Sequence, residues 1–330
     1  MGDTGVTLSM CEYDRTRALI DGRVKPQGVD LNLLINSIED SVIRMLRYEE
    51  FDAAEMSLSA ALIAADRGEP DFILLPIFPS RYFRHSAIFV TASSPLESPE
   101  DLKGKRIAAP TYARLTAGVW IRGILEDDYG VAPGDVEWTV AEPLPVGSMD
   151  RIPVTLPDDL HVQSVAVDTN LEQMLLDDQV DALITARLPR AISSANPGIR
   201  RLFRDARSVE AAYFERTRIF PPMHVLAVRR ELYERHPWLG PSLFAAFVAA
   251  KNILLRDLRD IDVSRHSFAW AALYAESELD VLGDDAWHYG LAPNRHVLET
   301  FARYCFSQGL TEQLIDVDNI FPANVTQLSG

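Results

Sequence analysis

Cysteine is scarce in this chain of 330 residues: Cys11 and Cys305 are the two present, and they form neither a CxxC pair nor a metal-ligand spacing. A disulfide framework and a structural zinc site are therefore not expected, and a reducing compartment fits. Missing too are a Walker loop, a GxGxxG turn, an HExxH helix and a GxSxG elbow. Their absence removes support for nucleotide cofactors, zincin-type metal chemistry and serine hydrolysis. Positive charge is in short supply, 32 Lys and Arg against 48 Asp and Glu, for a net charge of −16. A sequence-independent nucleic-acid binder needs the opposite balance to displace counterions. No apolar run reaches the ~18 residues of a membrane span, since 72–78 and 243–250 are both short. The start, Met1-Gly2-Asp3-Thr4-Gly5-Val6, shows no basic stretch, apolar stretch or cleavage site, and Val6 breaks the myristoylation pattern. A cytoplasmic location away from membranes is the expectation. What is present is ordinary for a globular protein, 47% apolar and 24% charged residues, at a length that suits two domains or one large α/β unit.

Short apolar runs alternate with amphipathic stretches, which is the pattern of α/β architecture. Strands are expected at 6–10, 29–35, 53–56, 72–77, 87–91, 106–109, 136–140, 181–185 and 223–228. Helices are expected at 14–21, 58–67, 116–126 and 170–177. Ser37 with Asp40 resembles a capping box, and Ile38, Val42, Met45 and Leu46 behind it share one helical face. The stretch 142–157 carries four prolines and no helical period, so it reads as a loop. Residues 93–101, rich in Ser and Pro, read as a first crossing between two lobes, and 223–228 as the return. From 237 onward the pattern is mainly helical, with Leu243, Phe247, Ala250 and Leu254 on one face. The expected division is 1–91 with 222–330 as one lobe and 92–221 as an inserted second. Ligands of such folds sit beyond the carboxyl ends of the strands, where helix N-termini offer free N–H groups.

Two constellations stand at such ends. Phe78-Pro79-Ser80-Arg81-Tyr82-Phe83-Arg84-His85-Ser86 sets two arginines and a histidine directly after an apolar strand, in a strongly acidic protein. Arginine's planar fork matches a carboxylate, so the group suits an anionic ligand with a proton donor beside it; pairing with local Asp or Glu is the other outcome open to it. In Thr217-Arg218-Ile219-Phe220-Pro221-Pro222-Met223-His224, a histidine enters a strand after a fixed Pro-Pro, as a general acid or base would, or as a packed core residue. Ser57, Ser59, Thr111, Tyr112 and Thr116 stand at strand-to-helix junctions as caps or as ligands of an anion. Asp284 and His288 lie one helical turn apart without a third metal ligand at any recognised spacing.

On these segments the chain resembles the 4,5-dihydroxyphthalate decarboxylase family, whose fold is similar to type II periplasmic binding proteins. The resemblance runs through nearly the whole chain. It rests on Tyr13-Asp14-Arg15-Thr16-Arg17, Phe51-Asp52 with Glu55-Met56-Ser57-Leu58-Ser59, the 78–86 stretch, 101–106, 119–125 and Ile219-Phe220-Pro221 with Met223-His224. Trp287 with Tyr289-Gly290-Leu291 and Asn294-Arg295 continue it. The sequence departs from the family where a Gly-Gly-Leu-Glu…Pro-Gly-Arg stretch is usual, reading Thr139–Ser148 instead, and at Pro222, where a branched apolar residue is common. The resemblance implies a two-lobed fold with two crossing strands and a helical C-terminal region. It also implies decarboxylation of a hydroxylated aromatic dicarboxylate without a metal or other cofactor. His85 or His224 would be the proton donor, and Arg15, Arg81 and Arg84 would clamp carboxylates. Ser57, Tyr112, Thr116 and Arg187 complete the expected substrate contacts. The expected partner is a small aromatic carboxylate, within a homo-oligomer. A solute-binding or sensor protein, or an enzyme for another cyclic acid on the same scaffold, remains an alternative.

Overall fold

The computed structural model describes residues 3–68, 70–147, 152–193, 198–260, 262 and 267–330. The strands of the first lobe are β1 (Thr4–Met10), β2 (Val29–Ile35), β3 (Ala53–Ser57) and β4 (Phe72–Leu75). Those of the second are β5 (Ile88–Thr91), β6 (Arg106–Ala109), β7 (Glu137–Val140), β8 (His161–Ser164), β9 (Ala182–Ile184) and β10 (Ile199–Arg201). The chain then returns to the first lobe through β11 (His224–Arg229). The first sheet has the order β2-β1-β3-β11-β4 and the second β10-β5-β9-β6-β7-β8. β1 is parallel to β2 and β3, whereas β11 runs antiparallel to β3 and β4. Central β3 is buried at all five positions, as expected of a strand covered on both faces. Its one charged residue, Glu55, is therefore enclosed.

The two-lobed α/β expectation holds, with one boundary corrected. Residues 88–91, assigned to the first lobe, pair with β9 and β10 and so belong to the second sheet. The crossing lies before them, because Pro76 follows the last residue of β4 and the chain changes sheets between 76 and 87. The return passes alongside: Met223 N–H donates to Ser80 O at 2.7 Å and Tyr82 N–H to Pro221 O at 3.0 Å. The two basic motifs are thus the two halves of the hinge. The helix expected at 14–21 is a 3-10 turn, Asp14–Thr16, and a short helix, Arg17–Ile20. The helix Leu239–Arg259 has 21 residues and a mean hydropathy of 1.2, enough to cross a membrane by length and composition, which the short run 243–250 did not announce. Here its Leu243, Phe247 and Ala250 are core residues, and its buried Lys251 pairs with Asp285.

The C-terminal region spans the lobes. The helix Arg295–Ser307 packs on Thr116–Tyr129 of the second lobe. Trp120 lies against Phe301 and Tyr304, with ring centres 5.0 and 5.6 Å away, and donates its indole N–H to Pro222 O. Buried Arg122 donates to Gln308 Oε1 at 2.7 Å, and Gln308 donates back to Val119 O at 3.0 Å. Tyr304 also donates its hydroxyl to Asp127 at 2.7 Å. Gly123 lies flat against the Tyr304 ring, so an added Cβ would overlap it. Gly123→Ala is expected to lower unfolding free energy by about 1–3 kcal/mol through overpacking, read from urea midpoints; a wild-type midpoint would contradict this packing.

Candidate active site

His224 stands opposite Ser57 in the β3–β11 pairing, and Leu226 opposite Glu55. Alternate residues of paired strands share a face, so Glu55, Ser57 and His224 project together. His224 Nδ1 lies 2.5 Å from Glu55 Oε1. The Tyr13 hydroxyl donates to the same oxygen at 2.6 Å and sits 3.3 Å from Nδ1. The Cys11 amide donates to Oε2 at 2.8 Å. Burial alone would push Glu55 toward its neutral acid; the charge and hydrogen bond of His224, with the donors from Tyr13 and Cys11, outweigh it. The carboxyl is held below its ordinary value. Burial, with the Glu55 charge, raises Tyr13 and pushes the Cys11 thiol up to about 12, so both keep their protons. With Nδ1 engaged by the carboxylate, Nε2 is the ring nitrogen left for a ligand.

His224 lines a cleft of about 840 Å³ between the lobes. Glu39 and Ser57 reach it from the first lobe, Thr111, Thr116 and Arg187 from the second, and Arg84 and Met223 from the two crossings. Arg84 donates Nε to Met223 Sδ at 3.1 Å and lies over the Tyr82 ring. Burial pushes its pKa down to about 10, so it stays charged at neutral pH. Among the described residues it makes no ion pair, although the charge of Glu210, whose carboxyl accepts from the Ser86 amide, acts on it. Arg187 reaches across to Glu39 at 2.9 Å. Ser57 and Thr116 border the cleft, but their hydroxyls bond each other at 2.9 Å, and Ser57 donates to Arg114 O at 2.7 Å. They join the lobes at the cleft floor.

The other expected contacts lie elsewhere. Arg81 is buried in the hinge, where it donates to Phe220 O at 2.9 Å, His288 O at 2.8 Å and Asn294 Oδ1. Arg15 is packed between Tyr13 and Trp287. Tyr112 lies fully buried under the Arg122 guanidinium, 3.8 Å away. His85 is buried against Phe203 and Tyr213, with neither ring nitrogen hydrogen-bonded. Where the chain departs from the family pattern, among the described residues only Ala141 lines the cleft; Glu142 accepts from the amides of Tyr112 at 2.5 Å and Gly147 at 3.2 Å. Ser148, at the end of that departure, is outside the described residues. Asp284 and His288 are not on a helix: Asp284 pairs with Arg259, and His288 lies 3.8 Å from Asp285. Among the described residues no three His, Cys, Asp or Glu are grouped to hold a metal ion.

Sequence reasoning missed Glu55 and Tyr13 as site residues, although both stood in quoted segments. The available signal was a lone carboxylate inside the apolar run Ala53–Ser57, since a charge is enclosed only where partners await it.

Burial pushes the His85 pKa down to about 4, against about 6.5 for a free histidine. A base with a depressed folded pKa favours the fold in its neutral form. That stability is complete above pH ~6.5 and is lost as pH falls toward ~4. His85→Leu is expected to keep wild-type turnover and flatten the stability profile across this window by up to about 3 kcal/mol. Parallel urea-midpoint profiles for the two proteins would show that His85 is not held neutral.

The chain is 33% identical to a 4,5-dihydroxyphthalate decarboxylase of Comamonas testosteroni over 326 residues, 98% of each chain. It is 34% identical to one of Pseudomonas putida over 214 residues, 65% of this chain and 83% of the relative. Residues 17–195 match the family described as ABC transporter, phosphonate, periplasmic substrate-binding protein. Among solved structures, the periplasmic aliphatic sulphonate binding protein SsuA of Escherichia coli aligns at a TM-score of 0.57 and 13% identity. That alignment covers 100% of this chain and 95% of the other, which is a likeness of fold. With nearly its whole length aligned to a curated relative, the chain belongs to the 4,5-dihydroxyphthalate decarboxylase family, built on the two-lobed fold of periplasmic solute-binding proteins.

Proposed function

We propose that this chain is a carboxy-lyase that decarboxylates a hydroxylated aromatic dicarboxylate, 4,5-dihydroxyphthalate to protocatechuate or a close analogue, without a cofactor. The observation that carries the reading is the Glu55–His224 pair, enclosed behind the cleft with Nε2 left for the ligand and the Arg84 cation on the same cleft wall. In such a substrate the departing carboxylate is para to a hydroxyl. Loss of the hydroxyl proton to water in the open cleft, from which the product phenolate later regains it, sends electron density to the carbon bearing that carboxylate. His224, protonated at Nε2, delivers its proton there; the C–C bond then breaks, its electron pair restores the ring, and carbon dioxide leaves. Glu55 steadies the imidazolium before transfer and fixes the ring's orientation. Arg84 holds a carboxylate through its open fork. Arg187 serves the other carboxylate by exchanging Glu39, since their ion pair is exposed and such pairs are worth about 0–1 kcal/mol.

The likeness to a sulphonate-binding protein supports a second reading, an anion receptor using the same cleft. A receptor requires binding but no proton donor, so the enclosed acid–base pair favours the enzyme. The deciding measurement is carbon dioxide release and product absorbance with 4,5-dihydroxyphthalate, with and without a chelator. His224→Ala is expected to reduce kcat by about 10²–10⁴-fold, the usual contribution of a positioned proton donor. Arg84→Ala is expected to raise KM more than it lowers kcat. An unimpaired His224→Ala enzyme would refute the assignment of the acid, while ligand-induced thermal stabilisation without turnover would favour the receptor.

A further inference from the structure

The family resemblance makes Arg15 a carboxylate clamp, but its surroundings assign it another task. Its guanidinium carbon lies 4.1 Å from the centre of the Tyr13 ring and 3.9 Å from that of Trp287. Nε donates to Pro79 O at 2.5 Å, and Nη1 reaches Asp14 at 3.2 Å. The side chain is 11% exposed and lines no part of the cleft. A carboxylate could reach its fork only by breaking this stack, in which both aromatic faces and the planar cation gain from contact. Tyr13 turns the stack into something useful to the site. Its ring rests on Arg15, and its hydroxyl contacts both Glu55 Oε1 and His224 Nδ1.

We propose that Arg15 and Tyr13 are positioning residues: Arg15, held by Trp287 and the Pro79 carbonyl, fixes the Tyr13 ring, whose hydroxyl locks Glu55 onto Nδ1 of His224. The inference rests on His224 being the proton donor. It gives the stack a catalytic consequence, because a tyrosine ring has two free torsions and its hydroxyl is only as well placed as the surface its ring lies on. The charged and titratable groups around His224 are Glu55 on β3, Cys11 and Tyr13 after β1, and Arg84 from the first crossing. Glu39, Arg114, Asp168, Glu172, Arg187 and Arg190 stand on the cleft walls.

Two variants separate positioning from clamping. Arg15→Lys keeps the charge and loses the planar stack; Tyr13→Phe keeps the ring and loses the hydroxyl. The His224 ring is titrated by NMR in unliganded, histidine-labelled protein, with His224→Gln to assign its signal. Tyr13→Phe is expected to move the midpoint upward by roughly 0.5–1 pH unit, because Glu55 with one donor fewer draws harder on the imidazolium. Arg15→Lys is expected to move it in the same direction. Wild-type midpoints in both variants overturn the proposal, and a shift in Tyr13→Phe alone removes Arg15 from it. In steady-state carbon dioxide release, positioning lowers kcat on the order of 10- to 100-fold with KM nearly unchanged. A raised KM with wild-type kcat would instead make Arg15 a clamp. Failure of the wild-type chain to release carbon dioxide counts against the enzymatic reading only, since the titration is read without substrate.

Discussion

The contact on which the cleft depends is the seating of the Thr116–Tyr129 helix of the second lobe against Arg295–Ser307 of the C-terminal region. Trp120 and Arg122 are almost wholly enclosed there, and removing a partner from a buried charge such as Arg122 costs about 3–5 kcal/mol. Two further ties act in parallel. Arg81 staples the first crossing to Phe220, His288 and Asn294, and Ser57 joins Thr116 and Arg114 across the cleft floor. A hinge with side chains locked on three sides resists the rotation by which a solute receptor closes. Groups set in advance at the distances chemistry needs lower a barrier more than groups gathered on binding. The welded lobes therefore suit a site whose parts come from both crossings and both sheets.

Within that frame, the enclosed carboxylate decides what the site can be. An ionised Glu55 at no exposure is costly unless every oxygen is engaged. His224, Tyr13 and the Cys11 amide supply those contacts, the last two from the segment after β1 and the first from β11. The arginines show the same rule in reverse. Arg81 and Arg84 are three residues apart in one motif, yet Arg81 is consumed by hinge acceptors while Arg84 meets a methionine sulfur and keeps the rest of its fork for the cleft. What separates them is the return crossing, which lays Phe220 beside one and Met223 beside the other.

This explains what could be read in advance. The buried strands β1, β3, β6 and β7 announced themselves as apolar runs, the edge strand β2 by its alternation of apolar and polar residues, and the Ser37 cap showed in the sequence because its hydrogen bond is local, from the Asp40 amide to Ser37 Oγ. β8 and β10 did not: they are strands of four and three residues, and the first is largely exposed. The helix Ala206–Thr217 buries only Tyr213 and Phe214, so its sequence lacks the apolar stripe that marks a core helix. The membership of β5 in the second sheet was invisible for another reason. Three apolar residues, Ile88, Phe89 and Val90, specify a buried strand but carry nothing about which strand they join.

The two histidines carry the point furthest. His85 and His224 each follow a basic, aromatic-rich stretch and each enters or precedes a strand, so residue type and local context treat them alike. Tertiary packing does not. His85 enters a pocket walled by Ile88, Ile121, Ile124 and Leu125, where neither ring nitrogen finds a hydrogen-bond partner, and burial outweighs the pull of the Asp128 charge and drives the ring neutral. His224 enters a space of similar burial on one side, but the neighbour there is a carboxylate held ready by two donors. On the proposed mechanism, His224 serves as a proton donor through the anion behind it. In this chain that anion lies 169 residues earlier, on the neighbouring strand, where only the fold could bring it.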